Sequence, residues 1–355
     1  MPNKIDLKGL SLEEMERLLA DHGEPAYRGR QLFHWIYGRG VATFAEMTDL
    51  PVALRARLAE WTDIGGLAPL NRSISRDGTR KYLFGCADGR AIETVLIPDE
   101  DRLTACLSTQ VGCALACAFC LTGQMGFVRH LQCGEIVDQV LALQRDLQPE
   151  ERIGNLVLMG MGEPLHNYDA VVKALTILAH PLGLAFPPRR MTLSTVGLVP
   201  EIVRLGQSGL GVNLAVSLHA ATDDIRDRLV PINRRYPLKE LMAALRTYPL
   251  PPRRRITFEY VLIDGVNDRP EDARALVRLL RGLQCKVNLL PLNEAPAIPF
   301  RRSSQERVET FQRVLKSAGI LATIRESRGL DISAACGLLA TEINQKSLDT
   351  AESLA

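Results

Sequence analysis

The chain has 355 residues and a mass of 39.2 kDa, with 46% hydrophobic and 24% charged residues and a formal net charge of +2. That composition excludes wholesale disorder and leaves length for one large domain with an appendage or for two domains. No apolar run reaches the ~18 residues of a membrane span, and the start, MPNKIDLKGLSLEEMERLL, has no secretory leader pattern, so a cytoplasmic protein without a membrane partner is expected.

Residues 1–75 read as a small helical domain. Ser11, with Glu14 three positions on, opens SLEEMERLLADHG as a capping box, and Gly23 stops it. AYRGRQLFHWIYGRG puts aromatics on one face with Arg28, Arg30 and Arg39 around them. A third helix follows Pro51, a residue suited to a first helical turn. Acidic and basic residues nearly balance here, so this is no basic arm. TRKYLFGCA and RAIETVLIP then flank Asp88-Gly89, a hairpin signal that makes 76–100 a β-hairpin extension.

Over 101–328 strands and helices alternate. Strands are expected at 103–109, 154–160, 190–195, 212–218, 255–263, 286–290 and 320–325. Helices are expected at 133–147, 168–180, 199–208, 238–247, 270–281 and 304–318. Repeated βα order implies a parallel sheet covered by helices. Six or seven units predict an α/β fold, a partial (β/α)6 TIM-type barrel, with its site at the C-terminal strand ends. The tail, 329–355, shows no strand.

Five of the eight cysteines fall between Cys106 and Cys133. In a large chain of a reducing compartment such clustering favours metal or catalysis over disulfides. CALACAFC sets Cys113, Cys117 and Cys120 on one loop after the first barrel strand. Three thiolates there suit an iron–sulfur cluster with one iron left open. The alternative is zinc, completed by Cys106, Cys133 or His130.

The spacing C-x-x-x-C-x-aromatic-C, with Phe119 as the aromatic, resembles the radical S-adenosylmethionine (SAM) superfamily. GMGEP at 160–164 follows the second strand and resembles that superfamily's methionyl-amine motif, which implies Gly162 and Glu163 as SAM contacts. AIETVLIP, CLSTQVGCALACAFC, MGMGEPLHN, LSTVGLVP, LAVSLHA and SRGLDISAACG together resemble the RlmN/Cfr family of RNA adenine methyltransferases over nearly the whole chain. Pro164 after the glutamate points to the group that methylates carbon 2 of adenine. The alternative is the Cfr-type group, which methylates carbon 8 and gives antibiotic resistance.

The resemblance implies a 4Fe–4S cluster on Cys113, Cys117 and Cys120, and two molecules of SAM per turnover. One SAM methylates Cys336. The second is cleaved to a radical that takes hydrogen from that methyl group, and the resulting methylene radical adds to the adenine. Glu93 is the implied proton acceptor, and a glutamate within a strand of Ile, Val and Leu could be desolvated into a base. Cys106 is the implied resolving thiol, through a transient disulfide with Cys336. Small neighbours and Gly337 around Cys336 would let the backbone come close to a cofactor. Ser194, Ser217, Leu218, His219 and Asn293, at strand ends, are the remaining implied SAM contacts.

The implied substrates are 23S rRNA, in the peptidyl-transferase region, and tRNA at the adenine 3′ of the anticodon. The target base must be extruded to reach a barrel interior. Arginine groups at 189–190, 234–235, 253–255 and 301–302, with Lys239 and Lys286, are candidate phosphate contacts. Arg28, Arg30 and Trp35 of the front domain are candidates for gripping folded RNA. An electron donor such as flavodoxin and a monomeric state are expected. A reading from another class, a non-catalytic iron–sulfur carrier or RNA-binding module, would need neither GMGEP nor the tail cysteine.

Overall fold

The computed structural model describes residues 4–99 and 102–341; residues 1–3 and 342–355, the latter part of the expected tail, lie outside the described residues. The front comprises β1 (Ile5–Asp6), α1 (Leu12–Asp21), α2 (Tyr27–Phe33), α3 (Val52–Trp61) and β2 (Thr62–Asp63), with β1 and β2 paired in parallel. The capping box at Ser11 is present: Ser11 N–H donates to Glu14 at 2.7 Å and Glu14 N–H to Ser11 Oγ at 3.3 Å. α2 runs on as a π turn over His34–Gly38, which buries Phe33, Ile36 and Tyr37 in the core. The front docks on the rest of the chain through a buried ion pair, Lys8 Nζ to Asp138 Oδ1 at 2.5 Å.

The extension is larger than the expected hairpin. β3 (Ala68–Ile74), β4 (Arg80–Gly85) and β5 (Ala91–Asp99) form three antiparallel strands, so part of the stretch read as helical is a strand. β3 is an edge strand with nearly every residue exposed, so it carries no apolar alternation to reveal it.

Beyond it lie β6 (Arg102–Cys106), β7 (Gln110–Gly112), α4 (Leu121–Gln124), β8 (Phe127–His130), α5 (Cys133–Arg145), β9 (Ile153–Leu158), α6 (Tyr168–Ala179) and β10 (Met191–Thr195). Then come α7 (Val199–Gln207), β11 (Asn213–Ser217), α8 (Asp223–Leu229), α9 (Leu238–Arg246), β12 (Ile256–Leu262), α10 (Pro270–Leu280), β13 (Cys285–Pro291), α11 (Gln305–Ser317) and β14 (Leu321–Ile324). All the expected strands and helices are present; α4, β7, β8 and α8 were not anticipated. A ten-stranded sheet runs β14-β13-β12-β11-β10-β9-β6-β5-β4-β3. Strands β6 and β9 to β14 are parallel. Six of them are followed by helices, which gives the expected six βα units, and β14 adds a seventh parallel strand. β14 and β3 end the sheet without pairing to each other, so the barrel is partial.

The lumen departs from an ordinary barrel, whose interior is filled by branched aliphatic side chains. Alternate strand positions send Thr104, Asn155, Thr192, Asn213, Thr257 and Asn288 toward a cavity of about 550 Å³. Several of these polar groups bond one another or their neighbours, as Asn155 does with Thr104 and Asn288 with Glu259, so the cavity has a polar wall.

Candidate active site

Cys113, Cys117 and Cys120 occupy the loop between β7 and α4. The β7–β8 hairpin brackets that loop: Cys113 N–H donates to the Gly126 carbonyl at 2.8 Å, and Ala118 N–H reaches the Leu229 carbonyl at 3.0 Å. All three cysteines line one cavity of about 170 Å³ at the C-terminal strand ends. Gly162, Glu163, Ser194, Ser217, His219, Asn293 and Cys336 line it too. Residues from six separate segments, expected to share one site, therefore meet.

Burial raises the thiol pKa of all three cysteines, that of Cys113 to about 12. Such thiols lose their protons to a metal centre rather than to water. Among the described residues no three His, Cys, Asp or Glu side chains converge on a point that could hold a single metal ion. Of the residues considered for completing a zinc site, His130 is engaged with Gln110 at 3.0 Å. Three thiols on one loop lining a cavity would hold a cluster that keeps one iron free of a protein ligand.

Glu163 is fixed by the backbone. Its Oε1 accepts Leu165 N–H at 3.0 Å and its Oε2 accepts Val196 N–H at 2.9 Å, while its own N–H donates to Gln110 Oε1 at 2.8 Å. Burial pushes its carboxyl up to about 7, against the pull of those N–H groups. A nearby cation, such as an amine, would restore the charge. Gly162 has φ +99°, and a Cβ there would sit 2.5 Å from Gln110 Cβ, so GMGEP needs glycine at this point.

His219 holds a left-handed φ of 61°. Its Nδ1 accepts Val261 N–H at 3.0 Å, which leaves the proton on Nε2. Burial, then the Arg226 charge, draws its pKa down to about 3, so the ring is a neutral donor. Its ring meets Phe119 edge-on at 4.6 Å. Ser194 Oγ and Ser217 Oγ lie 3.4 Å apart. Leu218 does not line the cavity: its side chain is in the core, and its N–H donates to the Glu259 carbonyl at 3.0 Å.

The tail is strapped across this mouth. Asn293 Nδ2 donates to the Cys336 carbonyl at 3.0 Å and its Oδ1 accepts from Ser327 Oγ at 2.5 Å. Leu121 N–H donates to the Gly337 carbonyl at 2.8 Å, and Thr122 Oγ1 to the Leu339 carbonyl at 2.6 Å. Gly337 has φ +83°, and a Cβ would meet the Phe119 carbonyl at 3.2 Å, so glycine lets the tail touch the cysteine loop.

Cys336 lines both this cavity and the larger one, which Cys106 also lines. The Cys336 side chain is exposed to these cavities, where the surrounding protein and the Glu259 charge raise its thiol, and burial raises that of Cys106. All eight cysteines are free, so the expected Cys106–Cys336 disulfide is not a bond of this structure.

Glu93 is buried rather than solvent-facing, yet it lines neither cavity. Its Oε1 pairs with Lys81 Nζ at 2.8 Å and its Oε2 accepts Ala340 N–H at 2.9 Å. Burial raises its pKa, and those two partners pull it back.

Three residues escaped the sequence reading. Gln110 joins Glu163 to His130 and His166. Arg226 is fully buried and gathers the carbonyls of Leu218 at 3.1 Å and Val196 at 2.5 Å, with Asn233 Oδ1 at 2.8 Å, behind the ends of β10 and β11. Glu259 lines both cavities. The local signal for Glu259 was a carboxylate within the apolar strand ITFEYVL; Glu93, in a similar strand, was found through the family resemblance.

Of the basic groups, Arg189, Arg190 and Lys286 line the larger cavity, whereas Arg234, Arg253, Arg301 and their neighbours do not. In the front domain Arg30 pairs with Glu16, Arg28 bonds Gln31, and Trp35 Nε1 donates to Asp49 at 2.5 Å. Among the described residues no helix is long and apolar enough to cross a membrane.

Residues 5–64 match the ribosomal RNA large subunit methyltransferase N-terminal domain, and residues 107–279 match the radical SAM superfamily. The chain is 53% identical to the dual-specificity RNA methyltransferase RlmN of Syntrophobacter fumaroxidans, over 95% of this chain and 98% of that one. It is 55% identical to the protein of the same name from Geobacter sulfurreducens, over 96% and 93%. The crystal structure of a radical SAM methyltransferase from Sphaerobacter thermophilus superposes with a TM-score of 0.91 at 52% identity, covering 94% of this chain and 99% of that one.

Proposed function

Because the chain belongs to the RlmN family of radical SAM RNA methyltransferases, which work with a 4Fe–4S cluster and SAM, we propose that it methylates carbon 2 of adenine. The substrates are 23S rRNA, in the peptidyl-transferase region, and tRNA at the adenine 3′ of the anticodon. The observation that carries the reading is the position of Cys336, shared between the cavity of the three cysteines and the larger polar cavity. Pro164 in GMGEP supports carbon 2 over carbon 8.

Cys113, Cys117 and Cys120 would hold the cluster. When bound, the cluster and SAM supply the electron, the methyl group and the hydrogen-abstracting fragment that an electrophilic ring carbon requires. The Glu163 carboxylate takes the SAM amine at Gly162. Ser194, Ser217, the Leu218 backbone, neutral His219 and Asn293 position the rest. Cys336 accepts the methyl group and presents it to the base. Cys106, in the same larger cavity, attacks the Cys336 sulfur to free the product. Glu93 takes the ring proton once the Ala340 amide has left it. The extruded adenosine occupies the larger cavity, with Arg189, Arg190 and Lys286 on the backbone phosphates. The front domain, 1–75, with Arg28, Arg30 and Trp35, steadies the folded RNA. The protein acts as a monomer in the cytoplasm, reduced by a donor such as flavodoxin.

The test is anaerobic incubation of cluster-reconstituted protein with SAM, reductant and an unmodified 23S rRNA fragment, followed by nucleoside analysis. The expected product is 2-methyladenosine. 8-Methyladenosine would overturn the carbon-2 reading, and no methylated adenosine would overturn the function.

A further inference from the structure

A thiol must lose its proton to become a methyl carrier. Cys336 is exposed to the cavities, and an ordinary thiol, with a pKa of about 8.5, is mostly protonated at neutral pH. Efficient alkylation of that sulfur needs a base beside it.

β12 supplies one. Along ITFEYVL, Ile256, Phe258, Tyr260 and Leu262 pack in the core, and the alternate positions Thr257, Glu259 and Val261 turn to the lumen. Glu259 stands at the junction of the two cavities, as Cys336 does. Its register partner on β13, Asn288, donates Nδ2–H to Oε1 at 2.9 Å. Among the described residues Oε2 has no hydrogen-bond partner, and the carboxylate makes no ion pair. The charged groups facing it are Lys286 from β13, Arg325 beyond β14, and the Cys336 thiol from the tail. Glu163 and His219 share the smaller cavity with it, and Cys106 the larger. Burial raises its basicity more than Asn288, Arg325 and Lys286 lower it. Glu93 is in the opposite situation, with both oxygens engaged and its side chain lining neither cavity.

We propose that Glu259 is the general base for methylation of Cys336. The inference rests on the reading of Cys336 as methyl carrier. As Sγ attacks the methyl carbon of SAM, a new S–CH3 bond forms and the sulfonium S–CH3 bond breaks, with its electrons passing to departing S-adenosylhomocysteine. The Sγ proton moves to the Glu259 carboxylate and leaves to water through the larger cavity. No electron from a reductant is consumed. The two carboxylates thereby divide the work, Glu259 on the thiol and Glu93 on the adenine ring.

The test uses cluster-loaded protein with SAM, without reductant or RNA, and follows the one-methyl mass gain of the Cys336 peptide against time and pH. In wild type the rate should be flat around neutral pH, because the thiol proton passes to the carboxylate rather than to hydroxide in bulk water. Glu259→Gln should lower it by about 10²-fold or more, and its rate should climb tenfold per pH unit as thiolate forms. Iron content and equilibrium SAM binding of the variant should match wild type. Glu259→Asp, which keeps a carboxylate on a shorter arm, should give an intermediate rate with the flat profile. A Gln variant with the wild-type rate and profile overturns the proposal. So does a wild-type rate that itself climbs tenfold per pH unit through neutrality, whatever the variants do. If wild type methylates RNA yet never gains a methyl on Cys336, the carrier reading fails and takes the base with it.

Discussion

The carboxylate of Glu93 is bound to the backbone N–H of Ala340 at 2.9 Å, so the group proposed to deprotonate the adenine is held by the same tail that carries Cys336. Lys81 holds its other oxygen at 2.8 Å. Glu93→Gln keeps an acceptor for Ala340 and loses the ionised base. RNA methylation should fall about 10²-fold or more. Methylation of Cys336 itself should continue, because Glu93 is bound to Lys81 and Ala340 and does not line the cavity that Cys336 shares with the three cysteines. Nucleoside analysis beside mass analysis of the Cys336 peptide reads the two outcomes separately.

Cys113→Ala, Cys117→Ala and Cys120→Ala should each lose bound iron and labile sulfide and abolish SAM cleavage. The folded core should survive, since the loop hangs on backbone bonds such as Cys113 N–H to Gly126. Iron and sulfide assay with far-ultraviolet circular dichroism checks both parts; retention of cluster in any one variant contradicts the ligand assignment.

The two remaining site cysteines should fail differently. Cys336→Ala lacks a carrier and should form neither adduct nor product. Cys106→Ala should accept a methyl on Cys336 and add it to adenine, then stall with protein joined to RNA. A denaturing gel should show an RNA-dependent shift for Cys106→Ala that disappears in the double variant. Normal turnover by both single variants would end the methyl-cysteine account.

Asp138 answers Lys8 at 2.5 Å and Leu67 N–H at 2.6 Å in a site closed to water. Asp138→Ala strands a buried ammonium and should cost about 3–5 kcal/mol. The paired change Lys8→Met with Asp138→Leu should recover much of that. Urea midpoints at constant m-value are the measurement.

Burial holds the His219 imidazole at about 3, below the ordinary ~6.5 of an exposed histidine. Between those values the unfolded chain binds the extra proton. Stability therefore rises with pH across that window and is lost as pH falls from about 6.5 toward 3. His219→Leu should be less stable at neutral pH, because Val261 N–H loses its acceptor, yet should show a shallower acid limb. Urea titrations at pH values on both sides of about 6 distinguish the slopes.

The alternating strands and amphipathic helices of the barrel were legible because each shows its own periodicity, as in β12 with its four core residues. β3 was not, because an exposed edge strand has no buried face to write into the sequence. The cysteine loop and GMGEP were legible because their spacing is local. Arg226 was not: within DDIRDRL it reads as one more surface charge, and only the fold closes it in behind β10 and β11. Glu259 acquires meaning only beside Cys336, which lies on a different element far along the chain.

The sheet that stops at β14 and β3 without closing has a topological consequence. A sealed ring would admit a small free molecule or the loose end of a strand. A ring with a gap can take a residue from the middle of a polymer sideways, while the strand continues outside in both directions. For the RNA substrate proposed above, the gap between β14 and β3, crossed in this structure by the tail through Asp331 to Ser75 and Gly329 to Asp77, would let one internal nucleotide reach an interior chamber without being threaded once that tail shifts.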